Sequence, residues 1–322
     1  LSVLSSSTST LIPRSLAYDL LLTMRRVHST HGLLPMFIYI MTFTPVSVVE
    51  IVTAVRVLPD KCCALDPFLT SPLKTVVGEL ATFLIELVNR SLSTGCVPEV
   101  FKEAYITPRL QNVDLDPSDV RSYRPISNLS VISKLLKLVA QQLLSHLNST
   151  GLLPSLQSAY RANHSTETAV LKVLSDILFD IDSGDLSALV LIDLSAAFDT
   201  VDHEILLRRL DTSYLVSGTA LHWFESYLSN RRQHVYVGST SSQSMRMECG
   251  VPQGSVLGAT LFLIYGGDLQ QIIEKHGIRP HFYADYSQIY GSCRPTACPE
   301  LQTRIRRASM MWPTGCAQIG FS

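Results

Sequence analysis

The sequence predicts an α+β fold. Three patterns carry that expectation: long stretches with apolar residues at helical spacing, one short uninterrupted apolar run, and two pairs of alternating segments joined by tight turns. From Leu73 to Leu92, residues Val76, Val77, Leu80, Phe83, Leu84, Leu87 and Val88 recur at helical spacing. The pattern stops at Ser93-Thr94-Gly95, so an amphipathic helix is expected there. A second helix is expected from Val131 to Leu147, with Leu135, Leu138, Val139, Leu143 and Leu147 on one side, after the turn-rich string DLDPSDVRSYRP. A third spans about 165–181. The run ALVLID, between Gly184-Asp185 and Ser195, is too short for a helix and reads as a buried central strand. Helical patterns follow at about 201–211 and 218–229. QHVYVG and SMRMECG then alternate like hairpin arms, one helix is expected over Leu257–Lys275, and HFYAD with SQIYG forms a second hairpin. The first 35 or so residues, opening on LSVLSSSTST, have no clear period and are expected to be poorly ordered.

A chain of 322 residues with 46% hydrophobic content can bury a substantial core, which excludes disorder for most of its length. Only 16% of residues are charged, against roughly 25% in an ordinary soluble domain, so the surface is expected to be unusually apolar. With 26 basic and 27 acidic residues the net charge is -1, so no globally basic domain exists. Any contact with nucleic acid must rest on a local positive stripe and be weak and salt-sensitive. The seven cysteines form no C-x-x-C pair and have no histidines at zinc-finger spacing. They read as reduced thiols of an intracellular protein, cytoplasmic or nuclear. No signal peptide is recognised. The apolar stretch Leu33–Val49 is interrupted by Pro35 and Pro45 and closed by Glu50, below the roughly 20 residues a span needs, so no membrane partner is expected. A chain opening on Leu1 reads as a fragment.

Two acids draw attention. Asp193 ends the ALVLID strand, where a side chain emerges from a sheet into a cleft, and Asp285 sits at the tip of the second hairpin. Each has a structural reading, Asp193 as a helix cap and Asp285 as a turn residue. Together, on strand ends of one mixed sheet, they could converge on divalent ions, as two-metal phosphoryl chemistry requires.

The strings LIDLSAAFDTVDH (Leu191–His203), GVPQGSVLG (Gly250–Gly258) and FYADYSQIYG (Phe282–Gly291) resemble the successive palm motifs of reverse transcriptases from LINE-type, non-LTR retrotransposons. Upstream, CALDPFLTSPLK, LVNRSLSTGCVPEVFKEAYITP, SYRPISNLSVISKLL and LQSAYRANHSTETAV extend the similarity to roughly residues 43–303. The resemblance implies the fingers and palm of a right-hand polymerase, with a ferredoxin-like (RRM-like) mixed sheet. It divides the chain into an N-terminal segment unlike the family (1–42), pre-finger helices and fingers (43–182), palm (183–303) and a diverged tail (304–322). The reverse transcriptase domain is then about 89–322. The thumb and endonuclease are expected to be absent.

By residue, the resemblance implies that Asp193 and Asp285 are catalytic metal ligands, with the Leu194 backbone carbonyl as a further ligand of a two-ion Mg2+ or Mn2+ site. Phe198 would be the aromatic gate beneath the sugar of an incoming deoxynucleoside triphosphate, and Arg124 the finger arginine that grips its phosphates. Gln253 would line the nucleotide pocket, and Gly254 would admit the template backbone. The implied partners are an RNA template, a DNA primer and deoxynucleoside triphosphates; oligomeric state is not indicated. Two departures stand out. Where the family carries a second hairpin aspartate this chain has Tyr286, and a phenol, neutral at pH 7, is no carboxylate ligand. ITPRLQN has Arg109 and Gln111 where lysines are usual. The readings are therefore a catalytically impaired RNA-directed DNA polymerase, a non-catalytic nucleic-acid-binding remnant, or a decayed reading frame. Arg304, Arg306 and Arg307 are read as a solvated helix face or as phosphate contacts.

Overall fold

The computed structural model describes residues 38–60, 66, 69–161, 163–193 and 197–318. The N-terminal segment expected to be poorly ordered lies outside them, as does Leu194. Ser47 starts the first described helix, α1 (Val48–Arg56), through a reciprocal capping box with Glu50. The expected amphipathic helix is α2 (Thr70–Thr94). It buries Leu73, Val77, Ala81, Leu84 and Val88 and ends at Gly95 in the left-handed conformation. Strands β1 (Glu103–Leu110) and β2 (Tyr123–Leu129) follow. A 3-10 turn over Ile132–Leu136 then leads into α3 (Lys137–Ser149), so the helix expected from Val131 begins in the tighter form. Ser165 caps α4 (Thr166–Asp182), which precedes β3 (Leu186–Asp193).

The rest of the chain alternates helices and hairpins, giving an α+β architecture. Asp202 caps α5 (His203–Thr212), and α6 (Gly218–Leu228) follows. Strand β4 (Arg232–Val237) turns back onto the short β5 (Thr240–Ser241) and β6 (Met245–Arg246). Then come α7 (Gly258–Gly266), α8 (Leu269–Glu274), β7 (Arg279–Tyr283), β8 (Tyr286–Cys293) and α9 (Cys298–Gln318). Two sheets result. The larger has the order β2-β1-β4-β5 with β6 also on β4, and the β1–β4 pair is parallel. It therefore joins strands from both sides of the 182/183 boundary drawn from the sequence. The smaller is antiparallel, in the order β3-β8-β7.

The main core packs the helices against the smaller sheet through Phe282, Ile289, Val190 and Ile192. Trp223 of α6 stacks on Tyr227 at 5.7 Å, meets Phe43 edge-on at 5.8 Å, and donates its indole N–H to Ser91 of α2 at 3.0 Å. Helix α7 is apolar all round and buries Leu261, Phe262, Leu263, Ile264 and Tyr265, as a helix without a polar face must.

Two expectations are corrected. The ALVLID strand is not central: β3 is an edge of the smaller sheet. Ala188, Val190 and Ile192 pack on the core, but Leu189 is 43% and Leu191 71% exposed. Helix α4 is tied to the other two strands by Asp180 to Arg279 and by Asp176 to the Tyr290 hydroxyl, and its packing leaves Leu189 and Leu191 of β3 open. The apolar run signalled burial that only one of its faces receives. Likewise the helix expected over Leu257–Lys275 is two, broken at Gly267-Asp268. The Tyr214 hydroxyl lies where a Cβ on Gly267 would stand, 1.9 Å away, and Asp268 turns out to pair with the buried Arg209 at 3.1 Å. Apolar periodicity continues through this break, which is why the pattern concealed it.

The apolar surface expected from the low charge is visible on α4, where Leu171, Leu178 and Phe179 are exposed. Among the described residues, Cys96, Cys249, Cys293 and Cys298 are free thiols, and no helix is long and apolar enough to cross a membrane.

Candidate active site

The β7–β8 pairing ends at Tyr283↔Tyr286, which leaves Ala284 and Asp285 as a two-residue loop. Ala284 has φ +56, a positive value that glycine usually supplies in tight hairpin loops. Asp285 is half-buried at this tip. Burial pushes its carboxyl above the usual carboxylate range, its own backbone amide opposes that, the Asp193 carboxyl raises it further, and Arg124 lowers it. Asp193 is exposed at the end of β3, directly opposite Tyr286 across the β3–β8 ladder. The sheet thus brings Asp193 and Asp285 to one end, close enough to repel. The next described helix, α5, is capped by Asp202, so that structural role is not taken by Asp193. Tyr286 is 51% exposed, with its ring on the same side of the ladder as Asp193.

Arg124 lies on β2, directly opposite Arg109 on β1, and both side chains are exposed. Among the described residues neither is in an ion pair. Two like charges facing each other across an antiparallel ladder cost stability unless an anion joins them. The Arg124 charge is felt at Asp285, whose ionised form it favours.

The segment carrying Gln253 and Gly254 is laced to the turn that carries Phe198. Val251 N–H donates to the Phe198 carbonyl at 2.8 Å, Gly250 N–H donates to the Val201 carbonyl at 2.7 Å, and His203 Nε2 lies 2.7 Å from the Gly250 carbonyl. Gly250 has φ +88, and a Cβ there would stand 3.0 Å from the Asp199 backbone. On the other side, the Gln253 carbonyl accepts the Ser127 N–H of β2 at 3.0 Å. Gly254, at φ +101, would set a Cβ 3.3 Å from the Ser127 carbonyl. Phe198 is half-buried and stacks on Phe262 at 5.0 Å. An open cleft lined by Ile126, Asn128, Lys134, Gly254 and Val256 runs beside this junction.

Two residues that motif reading did not single out approach the hairpin acids. Gln157 is buried. Its side-chain carbonyl accepts the Ala284 N–H at 3.1 Å and the Ala159 N–H at 3.0 Å, while its amide donates to the Ala284 carbonyl at 3.3 Å. Tyr160 has φ +57, and its phenol is pushed upward by burial and then by Asp285 and Tyr283. Both belong to the string LQSAYR, so the signal available was their place in a family-like segment; their side-chain chemistry alone suggests nothing.

Chemically, two neighbouring carboxylates that repel one another suit a divalent cation. The donor set is nevertheless short: among the described residues no three His, Cys, Asp or Glu side chains group to hold a metal, and the third hairpin position is Tyr286. Arg304 is committed elsewhere, donating to the His276 carbonyl at 3.1 Å and to that of Gly277.

Comparison with known proteins identifies the family. Residues 114–308 match the family described as reverse transcriptase (RNA-dependent DNA polymerase), a stretch that includes Arg124, Asp193, Gln253 and Asp285. The chain is 33% identical over 227 residues to a probable RNA-directed DNA polymerase from transposon BS of Drosophila melanogaster, covering 70% of this chain and 25% of that protein. It is 32% identical over 193 residues to the RNA-directed DNA polymerase from mobile element jockey of the same species, covering 58% and 20%. A probable RNA-directed DNA polymerase from transposon X-element, also of Drosophila melanogaster, is 30% identical over 230 residues, covering 71% and 25%. The chain thus spans a quarter or less of the length of these relatives.

Proposed function

Because the chain belongs to the reverse transcriptase family, as a polymerase domain of the non-LTR retrotransposon kind, we propose that it is the fingers and palm of an RNA-directed DNA polymerase whose chemistry is impaired at Tyr286. Residues 43–182 supply most of the fingers and 183–303 the palm. The substrates are an RNA template, a DNA primer and deoxynucleoside triphosphates. What supports the reading is the placement of Asp193 and the Asp285 hairpin tip at one end of the smaller sheet, with the Arg124 charge acting on Asp285.

The roles follow from chemistry at each position. Asp193 and Asp285 hold the divalent ion, which when bound would lower the pKa of the primer 3′-hydroxyl and neutralise charge on the departing pyrophosphate. Arg124, with Arg109 opposite, binds the triphosphate, and its fork geometry suits two phosphate oxygens at once. Phe198 packs beneath the sugar, where its ring leaves no room for a 2′-hydroxyl. Gln253 lines the nucleotide pocket, and Gly254 presents bare backbone to the template. The lacing of Gly250 to Val201 and of Gln253 to Ser127 keeps these groups in register.

Tyr286 removes one carboxylate from this set. A missing ligand costs several kcal/mol of transition-state stabilisation, and each 1.36 kcal/mol is about a tenfold loss of rate. Primer extension on an RNA template with Mg2+ or Mn2+ tests the reading. The unmodified chain should match Asp193→Asn, and Tyr286→Asp should exceed both. Extension by the unmodified chain well above Asp193→Asn would overturn the impairment. The second reading, a nucleic-acid-binding remnant without chemistry, is favoured by the exposed Tyr286 ring at the corner of the site. It requires that nucleotide addition be absent with both Mg2+ and Mn2+ while a primer–template duplex still binds, with affinity that falls steeply with salt.

A further inference from the structure

The loop that carries Asp285 does not hold its own shape. Ala284 occupies left-handed backbone space without being glycine, and such a conformation persists only when its surroundings enforce it. The enforcement comes from the segment Leu156–Arg161, 127 residues earlier in the chain. That segment lies along the free edge of β7: Phe282 N–H donates to the Leu156 carbonyl at 2.8 Å, and Ser158 N–H donates to the Phe282 carbonyl at 2.9 Å. Ser158 Oγ also lies 3.0 Å from His281 Nε2. Between these contacts the Gln157 side chain reaches the loop itself and engages both backbone groups of Ala284, while Arg161 donates to the Gln157 carbonyl at 3.2 Å and so braces the clamp. No other side chain among the described residues has a recorded hydrogen bond to both groups of that residue.

We infer that Gln157 is a positioning residue for the hairpin acid: by clamping Ala284 on both sides it fixes the direction in which the Asp285 carboxyl leaves the loop toward Asp193. This rests on the reading of Asp193 and Asp285 as a divalent-ion pair. An amide is the suitable group here. One oxygen accepts two N–H groups, from Ala284 and Ala159, and the NH2 donates back to a carbonyl, so acceptor and donor are both used. A buried methionine of similar length would fill the space and make none of these bonds.

The test uses the whole chain, with amide hydrogen exchange followed by NMR and Mn2+ affinity measured by electron paramagnetic resonance. In Gln157→Met the Ala284 amide should exchange at least about tenfold faster while the amides of the β3–β8 ladder keep their rates. Mn2+ affinity should fall about tenfold or more, the usual effect of losing an outer support of a metal ligand. Ala284 exchange unchanged in Gln157→Met overturns the clamp. Fast exchange with unaltered Mn2+ affinity overturns its link to the acids. Asp193→Asn separates the two ideas: if it leaves Mn2+ affinity untouched, the ion-pair reading fails, and the exchange rates still decide the clamp.

Discussion

Asp193 and Tyr286 are direct cross-strand partners at the end of the β3–β8 ladder, so the residue that follows Asp285 presents a phenol to the Asp193 carboxyl. The corner therefore carries two negative charges where an acid at that position would make three. Since like charges set opposite each other on a ladder are unfavourable, the tyrosine makes the metal-free sheet end more stable and a poorer cation site.

Replacing it should show both effects at once. With a chelator present, Tyr286→Asp should lower stability by about 0.2–1 kcal/mol, the scale of a cross-strand like-charge pair. Millimolar Mg2+ or Mn2+ should raise its melting temperature more than that of the unmodified chain, because a ligand bound only by the folded form stabilises it. A melting temperature indifferent to metal in both proteins would show that this corner binds no cation.

The Asp285 carboxyl predicts a pH dependence of definite sign. Its folded pKa is raised, by burial first and by Asp193 as well, so its contribution to stability is full below the ordinary aspartate value of about 3.9 and is lost as pH rises through the raised folded value. Folding thus works against the ionised carboxylate, which the unfolded chain carries at no such cost. Asp285→Asn should therefore melt higher than the unmodified chain at pH 7, and the difference should shrink toward zero near pH 3. An equal difference at both pH values would mean that charge is not its origin.

The arginine pair on β1 and β2 should behave as an anion site. Inorganic tripolyphosphate should raise the melting temperature of the unmodified chain, and Arg109→Ala or Arg124→Ala should each reduce that rise substantially. Without the anion, either single substitution should change stability by no more than about 1 kcal/mol, in the stabilising direction, by relieving the like-charge pair. Thermal melts with and without tripolyphosphate measure both.

The two adjacent glycines at the end of α7 should respond oppositely to alanine. Nothing lies within 4 Å of a Cβ on Gly266, so Gly266→Ala should stabilise by about 0.5–1 kcal/mol through helix propensity. A Cβ on Gly267 would collide with the Tyr214 hydroxyl, and Gly267→Ala should destabilise by about 1–3 kcal/mol. Urea unfolding of the pair decides this; the same sign for both would contradict the packing.

Much of the chain's organisation was legible beforehand because it depends on local pattern. Helix α2 and the hairpin β7–β8 follow from apolar spacing, strand propensity and turn chemistry, which act over a few residues. The motif strings around Asp193, Gln253 and Asp285 likewise marked the family, because their order and spacing are properties of the sequence. Gln157 was not legible. Its role depends on a contact with a residue 127 positions away, and nothing in a lone glutamine announces it.

By itself, then, the sequence marked the strongly periodic helices, the ALVLID strand and the hairpin β7–β8, and set Tyr286 beside Asp285, but it did not reveal α1, β1 or β2. Only the tertiary structure decided that β3 is an edge strand with Leu189 and Leu191 open, that β4 joins β1 across the expected domain boundary, and that Gly267 yields its side-chain space to Tyr214. It also set Arg109 against Arg124 and Gln157 against Ala284. The physical reason is common to all of these. Local elements are selected by propensity and periodicity, whereas edges, clashes and clamps arise when elements distant in the chain compete for the same space and for the same backbone hydrogen bonds.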